Sequence, residues 1–186
     1  MTAISVIPPG LPLLLGALLL PLCTVRLRTL LVLGLPLLVL ALVWQLPAGT
    51  VLTLDFLGYE LAPVSDSRTG RLFATVFAIM AFAGGLFGLN HMRVPDLSAA
   101  LLSAGSAISI AFAGDLVTLL VFWEALALAS TLLVWSARTP QSRDAGLRYL
   151  LLHLFGGVLL LSGIIGHIAA TGSVAFTAMT LSLIHI

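Results

Sequence analysis

The chain has 186 residues, 60% of them hydrophobic and only 8% charged, with a formal net charge of +1 and a mean hydropathy of +1.20. Soluble domains carry roughly 25% charged residues, and a soluble monomer this apolar would expose patches far larger than such proteins tolerate. The composition excludes a soluble globular protein and, with no basic cluster, a nucleic-acid partner; it predicts an all-α, multi-pass protein whose first partner is the lipid bilayer.

Apolar runs of about 20 residues, the length that crosses a bilayer, predict six spans: Ile4–Leu22, Thr29–Leu46, Leu72–Leu89, Leu97–Ala113, Leu116–Trp135 and Leu147–Ala170. The first holds Pro8, Pro9, Pro12 and Pro21, which predicts an irregular entry that neighbouring helices must satisfy. No basic stretch precedes it and no small-residue cleavage site follows, so it reads as a retained helix rather than a signal peptide. Cys23 is the lone cysteine, which precludes a disulfide within the chain and reads as a small core-facing hydrophobe. Trp44 and Trp135 close spans, where indole rings favour the headgroup layer.

Every cation is an arginine, and lysine is absent. Arg26, Arg28, Arg93, Arg138, Arg143 and Arg148 follow odd-numbered spans, whereas only Arg68 and Arg71 follow the second. That bias places the odd loops in the cytoplasm and the N-terminus outside. The one long loop, at about 47–70, contains Asp55, Glu60, Asp66 and Arg68 and an extended stretch from Leu52 to Phe56. It predicts an ordered external loop, with a hairpin over the helix ends as one form of it.

An ionisable group at membrane depth costs roughly 3 kcal/mol on insertion scales, so each one needs a reason. Glu124 lies nine residues beyond Asp115, about 13 Å along the fifth helix and near mid-membrane, with Thr131 on the same face. A carboxyl there can hold and release a proton, or can serve as a neutral hydrogen-bonding group between helices. Asp115, beside Gly114, reads foremost as a helix cap and secondarily as a proton entry point. On the sixth span His153 and His167 are fourteen residues apart, on one stripe beside Gly156, Gly157 and Gly163. His153 reads equally as a proton relay or an interface group, and His167 chiefly as structural. The fourth span is rich in serine, alanine and glycine, a pattern for close packing against the fifth helix rather than for a polar path. Motifs for zinc hydrolysis, phosphate loops and serine nucleophiles are absent, and a pairing of Ser162 or Ser173 with a histidine has no motif behind it.

The run Gly-Asp-Leu-x-Thr-Leu-x-Val-Phe-Trp-Glu at 114–124, followed by the basic segment and by Leu147-Arg148-Tyr149-Leu150, resembles the proton-translocating antiporter-type membrane subunits. These comprise Mrp-type multisubunit cation/proton antiporter subunits and the homologous membrane subunits of respiratory complex I and membrane-bound hydrogenases. The Asp66-Ser67 to Arg71-Leu72-Phe73 element and Thr171-Gly172-Ser173 are similar too, and Leu-Leu-His-Leu-Phe-Gly-Gly at 151–157 looks most like D-type subunits.

The resemblance implies that Glu124 matches the family's glutamate on the fifth helix, which pairs with a lysine on the seventh. That lysine would lie beyond this chain, since family members have about fourteen helices. It also implies a bacterial inner-membrane location, partner subunits in a hetero-oligomer, protons as cargo with Na+ as the exchanged cation under the antiporter reading, and no cofactor in this chain. Residues 1–113 then read as N-terminal transmembrane helices, 114–180 as the opening of the proton-translocating domain, and 181–186 as a non-native tail. Neither a Gly-rich dinucleotide fingerprint nor cluster-ligating cysteines are present, so any redox role would belong to partner subunits.

Overall fold

The computed structural model describes residues 7–176. Ile4 to Val6 of the expected first span and the tail at 181–186 lie outside them. In chain order the elements are α1 (Leu11–Leu19) with a 3-10 turn at Leu20–Leu22, α2 (Val25–Gln45), β1 (Val51–Phe56), β2 (Tyr59–Ser65), α3 (Arg68–His91), α4 (Val94–Phe112), α5 (Leu116–Trp135) and α6 (Pro140–Thr171). Among the described residues five helices, α2 to α6, are long and apolar enough to cross a membrane, against six expected spans.

The difference lies in α1. Its nine residues rise about 14 Å, half a hydrocarbon core. Proline sets both ends. Pro12 is tolerated in the first turn, where no helical N–H partner is required, whereas Pro21 stops the α-helical ladder and leaves a 3-10 turn. Arg28 reaches back from α2 to the carbonyls of Leu20 and Pro21 at 3.3 and 3.4 Å, supplying donors that the helix end lacks. α6 deviates the other way. It starts at Pro140 behind a Thr139 cap, so Arg143 and Arg148, expected in a loop, sit on its first turns.

α4 is the hub of the bundle, lying against α1, α3 and α5. The small residues expected to receive the fifth helix partly serve α1 instead. A side chain on Gly10 would collide with Gly105 and Ser109 of α4, so the chain entering α1 runs directly on the α4 backbone. On α3, Ala74, Ala78, Gly85 and Gly88 form the buried face, and Val32 of α2 packs into the gap above Gly85. The core gathers Leu13, Leu20, Val32, Val39, Ile108 and Phe112 from α1, α2 and α4. α6 lies outside that core and packs on α5, leaving Leu151, Leu152, Phe155, Leu159 and Ile165 exposed.

The 47–70 segment is an antiparallel hairpin in which Leu54 faces Leu61 and Phe56 faces Tyr59. Leu57 and Gly58 form its tip with φ of 51° and 83°, the two left-handed residues that a tight type I′ hairpin turn demands. Its base is clamped. Arg71 donates from Nε and Nη2 to the two oxygens of Asp66 at 2.6 and 2.8 Å, and from Nη2 to the Leu46 carbonyl at 2.8 Å. Asp66 also accepts from the Gly49 amide. One bidentate pair thus closes the loop onto the ends of α2 and α3.

The Arg71 guanidinium, helped by the Gly49 amide, holds the Asp66 carboxyl below the usual carboxylate range against the opposing effect of burial. A depressed folded-state pKa contributes stability that is fully present above the unfolded value, about 4, and is lost as pH falls through the lowered one. Asp66→Asn should therefore remove the share of acid-dependent destabilisation below about pH 4 that this carboxyl is expected to contribute. Thermal unfolding in detergent across pH 2.5–6 (an estimated window about that pKa) checks this, and identical pH profiles would refute the clamp.

Candidate functional site

α5 starts where Asp115 caps it. The Asp115 Oδ1 accepts from the Thr118 amide at 2.8 Å, and Oδ2 accepts from the Thr118 hydroxyl and from the Ala62 amide of β2 at 2.8 Å. The side chain is buried, and both oxygens are engaged. Gly114 donates its amide to the Ala62 carbonyl, and Leu116 donates to Val174 beyond α6. Asp115 therefore sits at a node joining the hairpin, α5 and the residues after α6. The tie to Ala62 has no signal in the sequence, because it spans 53 residues.

From that cap α5 runs unbroken to Trp135 and places Glu124 about 12 Å along its length. The Glu124 side chain points at α6. A Cβ on Gly157 would overlap its Oε1, so the glycine is the seat of the carboxyl group. Oε1 is buried and has no hydrogen-bond partner among the described residues. The ion pairs among them are Asp66 with Arg71 and Asp96 with Arg138, so no cation offsets Glu124. The α6 backbone at Gly157 covers this side of the carboxyl, and α4 packs along α5 as its small residues predict. Thr131, on the same side of α5, is buried and donates its hydroxyl to the Ala127 carbonyl.

One register explains this seat. Gly146 of α6 lies under the Trp135 indole, and Gly157 lies under Glu124. Each pair is eleven residues further along its helix, in opposite directions, as antiparallel packing requires. The α6 seam runs through Gly146, Leu150, His153, Gly157, Leu160, Ile164 and His167, alternating steps of four and three in the spacing of a left-handed helix pair. This spacing splits the expected glycine stripe. Gly157 faces α5, whereas Gly156, Gly163 and Gly166 have no described atoms where a side chain would stand.

Both histidines belong to the seam, and the Nε2 of each is buried with no hydrogen-bond partner among the described residues. The His153 ring lies between Trp123, at 5.3 Å between centroids, and Tyr149, at 5.7 Å. His153 is thus one turn from the glycine that seats Glu124. His167 is about 21 Å further along α6, too far to share that group. Trp123 and Tyr149 are the residues that sequence reading missed. Tyr149 precedes His153 by four positions, which places it on the same face and is a readable signal. Among the described residues no group of three or more histidine, cysteine or carboxylate side chains could hold a metal ion.

The two seam glycines differ in what stands above them. Gly146→Ala must displace a rigid indole whose N–H donates to the Arg143 carbonyl at 3.2 Å, and about 1–2 kcal/mol of destabilisation is expected. Gly157→Ala meets only the mobile end of a glutamate and should change stability by less than about 0.5 kcal/mol. Thermal unfolding of both variants in one detergent reads the contrast, and equal losses would contradict the register.

Residues 113–185 match the family model described as NADH:quinone oxidoreductase/Mrp antiporter, transmembrane. An uncharacterized protein of Mycobacterium tuberculosis, found in strains H37Rv and CDC 1551, is 32% identical over 138 residues, covering 73% of this chain and 20% of the relative. NADH-quinone oxidoreductase subunit N of Deinococcus radiodurans is 36% identical over 70 residues, covering 38% of this chain and 14% of that protein. The chain thus spans about a fifth or less of the length of these relatives. The fold matches a chain in the structure of the membrane-bound sulfane sulfur reductase, an archaeal respiratory membrane complex. The TM-score is 0.80 at 24% identity, covering 91% of this chain and 28% of that one. Five apolar helices of sufficient length, the GDL-to-WE run on α5 and these matches agree: this is an antiporter-like multi-pass membrane subunit, matching the NADH:quinone oxidoreductase/Mrp antiporter transmembrane family over residues 113–185.

Proposed function

We propose that the chain supplies Glu124 as a proton-holding group in a membrane subunit of a multisubunit monovalent cation (Na+)/proton antiporter of the bacterial inner membrane. The observation that carries this reading is the Glu124 Oε1, buried in the α5–α6 seam with neither a hydrogen-bond partner nor a cation among the described residues. In this role the carboxyl carries the proton, and a cation brought beside it stabilises the carboxylate and lets the proton leave. The family resemblance supplies that cation as a lysine outside this chain. His153, one turn from Gly157 on α6 and with an Nε2 that has no partner among the described residues, would pass the proton onward. Partner subunits complete the complex, and the N-terminus faces outward on the arginine bias.

A second reading rests on the Deinococcus relative, an NADH-quinone oxidoreductase subunit: the same helices pump protons in a redox-driven complex whose electron carriers lie in other subunits. Everted vesicles containing the protein in its assembled complex separate the two. A sodium pulse collapses an imposed pH gradient under the first, whereas NADH-driven, sodium-independent acidification supports the second. Loss of either signal in Glu124→Gln ties it to this residue, and unchanged transport in that variant leaves Glu124 a packing group.

A further inference from the structure

The turn joining α5 to α6 borders an open cavity of about 660 Å³ lined by Trp135, Arg138, Arg143 and Asp144 among others, a volume typical of ligand sites. It lies where a 20-residue span ends, at the depth of lipid headgroups. Two guanidinium groups against one carboxylate give its lining a net positive charge. The turns at the start of α2 and of α4, carrying Arg26, Arg28 and Arg93, lie at the same end of an up-and-down bundle and add to the field.

Two features of Arg138 indicate that its charge is used. Its backbone is left-handed, with φ of 54°, a conformation that glycine or asparagine adopts at lower cost just past a helix end. An arginine at such a position is held for its side chain. That side chain is 39% exposed and only loosely paired, at 3.6 Å from Asp96, so most of its five donors remain available. The Arg143 guanidinium makes no hydrogen bond among the described residues, although its carbonyl accepts from the Trp135 indole. The indole is thereby fixed at the rim of the cavity.

We infer that this cavity binds the phosphate of an anionic phospholipid headgroup, with Arg138 and Arg143 as donors and the Trp135 ring against the glycerol region. A guanidinium matches a phosphate in a bidentate way. A basic pocket between helices at the membrane surface suits a lipid phosphate.

The test uses the chain in phosphatidylcholine nanodiscs with increasing phosphatidylglycerol, read as the unfolding temperature and as lipid retained in native mass spectrometry. Phosphatidylglycerol should raise the unfolding temperature and be retained selectively. Arg138→Gly, which relaxes the left-handed turn, and Arg143→Gln should each weaken retention about fivefold, while leaving stability in pure phosphatidylcholine intact or improved. Arg26→Gln, at the same end but outside the cavity, should retain the lipid as the parent does. Equal weakening by Arg26→Gln would reduce the effect to general surface charge and overturn the site. Inorganic phosphate at millimolar concentration should have no effect; if it matches phosphatidylglycerol, the ligand is a soluble anion and the lipid assignment fails.

Discussion

Glu124→Gln in the assembled complex, inserted at parental levels, is expected to lower proton transport by roughly 10²-fold or more, the scale on which removal of a proton-transfer group acts. The amide keeps the shape of the carboxyl, so the contact with Gly157 survives and the α5–α6 seam stays closed. An amide does not accept and release a proton in this range. Stability should hold or rise, because an ionisable group at membrane depth has been removed. Glu124→Asp separates chemistry from reach: it retains the proton but withdraws it from the seam by one methylene, about 1.5 Å, and transport should fall partway. Proton flux in vesicles, normalised to assembled complex, measures both transport effects, and thermal unfolding measures the stability. Parental flux in Glu124→Gln would assign the group to packing alone.

The largest effect on stability is expected at Asp115→Ala, about 3 kcal/mol of destabilisation. The change removes the N-cap acceptor of the Thr118 amide, worth about 1 kcal/mol, and leaves the half-buried Ala62 amide without its acceptor. Such an orphan costs about 1–3 kcal/mol. The loss should also be directional. Asp115 joins the hairpin to α5, so protease cleavage near the Leu57–Gly58 tip should accelerate in Asp115→Ala before the helices unfold. Asp115→Asn keeps an acceptor and should recover part of the loss. Thermal unfolding with timed proteolysis tests both, and an unaltered cleavage rate at the tip would show that the hairpin is held by other contacts.

The legible part of this protein is what one helix or one turn decides by itself. α5 appears at Leu116–Trp135 as read from its apolar run, because its cap, length and terminal tryptophan are all local signals. The fold class followed from composition, because so apolar a chain has no soluble alternative. α1 was misjudged because an apolar window does not register that Pro21 ends the hydrogen-bond ladder. α6 was started late because Arg143, Asp144 and Arg148 read as loop, although Thr139 and Ser142 cap each other in the manner of a helix start.

By itself, the sequence determined that this chain lies in a membrane, that a carboxyl sits midway along one helix, and that its motif is that of an antiporter-type subunit. Only the tertiary structure decided what meets that carboxyl. Spacing places Glu124 on a face of α5 but is silent on which helix covers the face. The cover is Gly157, chosen by a register that also sets Gly146 under Trp135. The same register divides glycines that looked equivalent, since adjacent positions on a helix point about 100° apart. Depth is a property of one helix, whereas the environment of a buried charge belongs to two.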